Sequence, residues 1–314
     1  MKAWTDRPAM RATIIHNPTA GRGEPPRRAL VAWFEASGYA VRYFSTREPG
    51  YRRGLESETD ILVAAGGDGT VAKVATHLER RDVPLVILPL GTANNIATSL
   101  GIGGAPHALV AALGSSERRW LDVATAAAPW GTSRFVESAG VGLFAALLAH
   151  AARASATRPP DRLPDDSREA RVRAVLRAVR THPARPCTVR ADGEDLSGDY
   201  FLAVAMNIRR IGTVLELAPD ADPGDGRLDL VLLGEEERPA LAAYLEGLLS
   251  GGGRRFSLRP LRAREILVEW DVARGHLDDE PWPESGAVMT PATAMPRVSM
   301  SIADPPIEVI VVRY

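Results

Sequence analysis

Along the first third of the chain, short apolar runs are each followed by a turn signal and then by helical spacing. Residues 11–16 (RATIIH) form a β-branched run that ends at Asn17-Pro18-Thr19-Ala20-Gly21, which reads as a strand and a loop. From Pro26 to Ser37, Leu30, Val31 and Phe34 recur at helical spacing, and Gly38 is a natural stop. Ala40 to Phe44 is strand-like again. Ile61 to Ala65 is a buried-type apolar run, and Gly66-Gly67-Asp68-Gly69-Thr70 follows it at once. The spacing predicts a helix from Val71 to Arg81 and another buried strand from Pro84 to Pro89 (PLVILP). This alternation predicts a parallel, doubly wound sheet.

Past Trp120 the pattern changes to strand after strand: Leu121–Ala126, Arg134–Ser138, Cys187–Ala191, Tyr200–Ile208, Arg227–Leu233, Glu265–Trp270 and Ile307–Val312. Asp192-Gly193 and Asp225-Gly226 are hairpin-type turns between some of them. A second, mainly β domain accounts for this half, with helices expected near Gly142–Ala156 and Arg168–Arg180. Thr157 to Ser167, rich in Pro and Asp, reads as a loop between those helices.

Length agrees with two domains, since 314 residues at roughly 150 per domain give about two. A hydrophobic share of 45% and a charged share of 25% allow a packed core and exclude wholesale disorder. The net charge of −1 argues against a dedicated nucleic-acid binder, so no nucleic-acid partner is expected. A single cysteine, Cys187, excludes an internal disulfide framework and reads as a small buried hydrophobe. The six histidines form no paired metal motif, and His16 reads as structural. Residues 1–10 lack the apolar core of a signal peptide, and Ala139–Ala152 is shorter than the ~20 residues a membrane-crossing helix needs. A cytoplasmic location is expected.

GGDGT stands between a buried strand and a helix, where glycines allow close backbone approach and a helix N-terminus favours an anion such as phosphate. A bare carboxylate would repel that anion, so Asp68 either binds magnesium or fixes the loop. An ordinary helix cap made by Asp68 or Thr70 is the structural alternative. Two more junctions of this kind, Asn17–Gly21 and Pro89-Leu90-Gly91-Thr92-Ala93-Asn94-Asn95, place Gly, Thr and Asn at strand ends, the edge where ligands bind open α/β sheets. Together the three loops make a plausible nucleotide cradle. Neither GxxxxGK[ST] nor GxGxxG is present in this segment, and Lys73 falls too late for the former.

In order along the chain, HNPTAG (16–21), GGDGTV (66–71), LPLGTANN (88–95), APDADPGDGRLDL (218–230) and LDDE (277–280) resemble the diacylglycerol kinase catalytic-domain family. That family includes bacterial lipid kinases, ceramide kinases and sphingosine kinases. The resemblance implies an α/β N-terminal domain of the NAD kinase/phosphofructokinase type over residues 1–122. A β-rich, lipid-accepting domain over 123–314 would follow, with the active site in the cleft between the two. It further implies an ATP-dependent kinase acting on a hydroxyl of diacylglycerol or a related lipid alcohol. Nucleotide contacts carry over to Asn17, Pro18, Thr19, Ala20, Gly21, Thr46, Gly66, Gly67, Asp68, Gly69, Thr70, Val71, Ala72 and Thr92. Glu280 carries over as the proton acceptor, with Asp278 beside it, and Asp68 as the group steering magnesium on the phosphates. A further magnesium site carries over to the Asp225 side chain and the carbonyls of Asp222 and Arg227. The partners implied are ATP and a lipid at a membrane surface, with a homodimer as a candidate assembly.

Departures from the family pattern are Asp279 where Gly is usual, Asn95-Ile96 in place of Asp-Phe, and Ala72 in place of Asn. If the turn requires positive φ at Asp279, Asp tolerates it better than most residues but not freely. The basic helix 168–180 suits an anionic membrane surface, though an ordinary solvated face is the better reading. A kinase for a soluble acceptor such as NAD, and a nucleotide-binding regulator without catalysis, are the alternatives.

Overall fold

In the computed structural model the buried runs of the first third become neighbouring strands of one sheet. The structure describes residues 9–21, 25–157, 167–252, 256–270, 274–283, 296–302 and 304–312. The chain divides into two units. One runs to Val123 and is completed by the segment from Pro305, and the other is Ala124–Asp304.

The first unit contains β1 (Met10–His16), α1 (Arg27–Ala36), β2 (Tyr39–Ser45), α2 (Arg52–Leu55), β3 (Ile61–Gly66), α3 (Asp68–His77), β4 (Leu85–Pro89), α4 (Asn95–Ser99), α5 (Pro106–Ala111) and β5 (Glu117–Leu121). Strands β2, β1, β3 and β4 lie side by side and parallel, as the alternation of strand and helix requires. All six residues of β3 are buried, which is why its run carries no polar alternation. Helix α3 begins at Asp68 and ends at His77 rather than spanning 71–81. Gly67 is its extended N-cap, and Leu78 leaves with ψ 104°.

One expectation is corrected. The last strand of the chain, Ile307–Val311, expected in the second domain, lies in the first sheet, parallel to β4 and antiparallel to β5. Its Ile307, Val309 and Val311 are fully buried. An apolar alternation of five residues specifies a half-buried strand but not which sheet it joins. The region expected as one strand over 121–126 is likewise two, with Asp122 and Val123 between sheets.

The second unit adds β6 (Ala124–Ala128), β7 (Gly131–Phe135), β8 (Ser138–Gly142), α6 (Leu143–Thr157), α7 (Arg168–Thr181), β9 (Arg185–Ala191), β10 (Glu194–Asp195), β11 (Gly198–Tyr200), β12 (Leu202–Met206), β13 (Arg210–Ile211) and β14 (Leu215–Glu216). It continues with β15 (Leu228–Leu233), α8 (Arg238–Leu249), β16 (Leu261–Ala263), β17 (Glu265–Trp270), β18 (Gly275–Leu277), β19 (Glu280–Trp282) and β20 (Arg297–Ile302). The first-sheet strand Ile307–Val311 is β21. Two antiparallel sheets form, one ordered β10-β9-β17-β20-β6-β7 and the other β16-β15-β12-β8-β18-β19.

The second of these sheets is covered on both faces. Ala203 and Ala205 of β12 pack into the core shared with β9 and β17, while Leu202, Val204 and Met206 pack against α6, α7 and α8. Small residues thus face the opposite sheet and larger ones face helices, which explains an uninterrupted apolar LAVAM. Helix α7 is capped by Ser167, whose Oγ accepts the N–H of Ala170 at 3.1 Å. Val172, Leu176 and Val179 are buried in the helix-side core, so α7 spends its apolar face there. Its polar face carries the Arg173–Glu169 pair, and Arg180 reaches Glu246 of α8. The expected loop lies, over 158–166, outside the described residues.

Asp192-Gly193 forms the expected hairpin turn between β9 and β10, with φ of 48° and 88°. Asp225-Gly226 does not, since β14 and β15 on either side of it pair with other strands. Among the described residues no helix is long and apolar enough to cross a membrane. Because Ile307 closes the gap between β4 and β5, Ile307→Ala should lower the unfolding free energy by about 2–5 kcal/mol. Urea denaturation with an unchanged slope is the check.

Candidate active site

In the first unit the carboxyl ends of β1, β3 and β4 are brought level by register, His16 opposite Ala65 and Gly66 opposite Pro89. Three backbone bonds carry the pairing into the loops. Asn17 N–H donates to Ala65 O at 2.9 Å, Leu90 N–H to Gly66 O at 2.9 Å, and Thr46 N–H to His16 O at 2.8 Å. Glycine is required where the loops touch. A Cβ on Gly91 would lie 2.5 Å from Gly67 Cα, and one on Gly21, at φ +58°, would lie 2.4 Å from Leu90 O.

Side chains lock the loops from within. Asn17 Oδ1 accepts from Thr19 N–H and from Thr19 Oγ1, at 3.1 and 2.9 Å. Asn94, in the left-handed region at φ 51°, clamps Gly91 by accepting its N–H and donating to its carbonyl, both at 2.9 Å. The carboxylate of Asp68 is buried and accepts the Ile96 N–H at 3.0 Å. Burial pushes its pKa up, opposed by backbone donors at Ile96, Asn95 and Asn94. Asp68 ties GGDGT to the start of α4 through this bond.

These loops border an open cavity of about 200 Å³ lined by Asn17, Ala20, Thr46, Gly67, Gly69, Thr70, Lys73 and Gly91. Six of the expected contacts are among them. Val71 and Ala72 turn into the core, Thr19 and Thr92 are exposed, and Pro18, Gly21, Gly66 and Asp68 shape the loops without lining the cavity. Lys73 is the residue that motif reading passed over. Its signal was its place four residues after Gly69, on the same face of α3.

In the second unit β18 and β19 form a hairpin with Leu277 opposite Glu280 and a two-residue turn, Asp278-Asp279. The positive φ of this turn falls on Asp278, at 49°, and not on Asp279. The condition for strain at Asp279 is therefore not met. Asp278 accepts three successive backbone N–H groups, from Val136, Glu137 and Ser138 at 3.2, 2.7 and 3.2 Å, and its own N–H donates to Ser138 O at 2.7 Å. Burial pushes its carboxyl up, and those donors oppose it. Asp278 thus ties the hairpin to the start of β8. Glu280 is exposed, and among the described residues its carboxylate makes no hydrogen bond or ion pair. The next residue, Pro281, borders a cavity of about 230 Å³ whose other walls include Gly275, Ala145, Ala149, Arg153 and Arg274.

The loop expected to bind magnesium is otherwise engaged. Asp225 Oδ1 accepts the Arg227 N–H at 2.9 Å, and its other oxygen is paired with Arg262. Asp222 Oδ1 accepts Gly224 N–H at 3.2 Å, and its carbonyl accepts the Asp225 N–H at 3.4 Å. Asp229 nearby is pushed up to about 6 by burial, with Arg262 acting against the shift. Arg262 thus supplies the positive charge that an ion would bring, and the residues as arranged do not fit a divalent cation. Among the described residues no group of three or more metal-ligating side chains gathers elsewhere.

The chain matches the diacylglycerol kinase catalytic domain over residues 11–126 and the YegS C-terminal NAD kinase beta sandwich-like domain over 152–298. It belongs to the diacylglycerol kinase catalytic-domain family and is a kinase-type phosphotransferase of the lipid-kinase branch. A protein of Shigella boydii named "Probable lipid kinase YegS" is 32% identical over 237 residues, 70% of this chain and 74% of that one. One of Stenotrophomonas maltophilia, named "Probable lipid kinase YegS-like", is 28% identical over 285 residues, covering 85% and 88%. The crystal structure of a diacylglycerol kinase from Bacillus anthracis shares the fold, with a TM-score of 0.66 at 19% identity and 98% of each chain covered.

Two measurements check this geometry. Asp68→Ala leaves the N–H groups of α4 without their acceptor and should cost about 1–3 kcal/mol of stability. The second concerns His276, fully buried beside Phe144, whose pKa burial pushes down to about 3. Between pH 6.5 and 3 the unfolded chain binds a proton that the folded one does not. The contribution of His276 is therefore present above pH 6.5 and lost below it, by about 2 kcal/mol between pH 6.5 and 5, while Asp278 and Asp229, raised to about 7 and about 6, act in the opposite direction. His16 and His182, also lowered by burial, act in the same direction as His276. Unfolding free energies across this range should fall less steeply in His276→Leu.

Proposed function

We infer that the protein is an ATP-dependent lipid kinase that transfers the γ-phosphoryl group to a hydroxyl of diacylglycerol or a related long-chain lipid alcohol. The observation that carries this reading is the glycine-built cavity at the carboxyl ends of three parallel strands, in a chain of the lipid-kinase branch. Phosphoryl transfer demands positioning and charge stabilisation rather than a covalent nucleophile. Asn17–Gly21, Thr46, Gly66–Ala72 and Thr92 would bind the nucleotide, largely through backbone. Glu280 would accept the proton as the acceptor oxygen bonds to the γ-phosphorus and ADP leaves. Its unpaired carboxylate suits that role, since nothing has to be broken to free it. The cavity beside Pro281, with alanine walls and two guanidinium groups, would admit an acceptor at a membrane surface. Magnesium would travel with ATP, and no step is assigned to the Asp222–Arg227 loop.

Incubation with γ-labelled ATP, magnesium and mixed micelles of diacylglycerol, ceramide or sphingosine, with NAD as the soluble control, tests the reading. Label is expected in an organic-extractable product. Glu280→Gln should lower its rate by about 10²–10⁴-fold while ADP binding persists. Label in NAD alone would move the protein to a soluble acceptor, and an undiminished rate in Glu280→Gln would remove that residue as the proton acceptor.

A further inference from the structure

We propose that Lys73 is the charged phosphate contact of the first unit, its ammonium holding the polyphosphate chain of the nucleotide. The proposal rests on the nucleotide reading above and names the residue that supplies its charge. Lys73 lines the cavity, and among the described residues the others lining it are neutral. The nearest carboxylate in sequence, Asp68, is turned away into the start of α4. Among the described residues the Lys73 side chain makes no ion pair or hydrogen bond, although it stands in the second turn of α3, behind a helix start that already favours anions.

The anion's class follows from the space and the donors. The cavity is open, about 200 Å³ in volume, and among the described residues its lining offers no aromatic ring for a base. Gly67, Gly69 and Gly91 instead let backbone approach closely, as a phosphate chain requires. An ammonium on a flexible stem is a point charge that can follow such a chain without a fixed fork geometry. In loop-based phosphate sites a lysine sits within the glycine loop; here it is placed one turn deeper and returns to the same space.

Calorimetric titration of the full chain with ADP and with inorganic tripolyphosphate, at low and physiological salt, tests this. Lys73→Gln is expected to weaken both about 10–100-fold and to flatten the salt dependence, and Lys73→Arg to recover most of the affinity. The thermal midpoint of each variant, measured without ligand, should match the unaltered protein. Equal binding by Lys73→Gln would overturn the assignment while leaving the nucleotide reading intact. A loss that Lys73→Arg does not recover, or one accompanied by a lowered midpoint, would also overturn it, because a charge role predicts neither. Failure of the unaltered protein to bind either probe would overturn the nucleotide reading and this assignment with it.

Discussion

Backbone contact between Gly67 and Gly91 is the constraint on which the first unit's site depends. The two loops meet so closely that a single methyl group on Gly91 would overlap Gly67 Cα. Two glycine loops carry a large conformational entropy cost, and such loops stay ordered only if other groups hold them. Asn94 and Asp68 do this from inside. A buried carboxylate is costly unless donors surround it, and the N–H groups at the start of α4 are those donors. The same bond hides a negative charge from the cavity and joins GGDGT to the GTANN loop, so one interaction serves both shape and electrostatics.

The second unit solves a different problem, the presentation of an unpaired carboxylate on a rigid element. Its middle sheet is buried on both faces, with alanines toward one layer and larger residues toward the other. The β18–β19 hairpin extends that sheet, and Asp278 ties its turn to three amides at the start of β8. Because Asp278 takes the left-handed backbone and the buried bonds, Glu280 is left exposed on an ordered strand. Two acidic residues two positions apart thus stand in opposite surroundings, one held by backbone donors and one exposed.

Much of this was legible in the chain. Runs such as ILVAAG and PLVILP and the turn chemistry after them are local signals, and they specified strands, loops and the parallel sheet. The ordered motifs specified the family, because glycines, Asn and acidic residues recur where backbone must approach a ligand or turn sharply. Tertiary structure decided what those residues touch. It gave Asp68 to Ile96, Asp225 to Arg262 and the positive φ to Asp278 instead of Asp279. It also set IEVIV in the first sheet and pointed Lys73 into the cavity. These are pairings between groups mostly distant in sequence. The period of a strand or helix records which face is buried, but the partner that covers that face, or neutralises a charge on it, exists only once the chain has closed on itself.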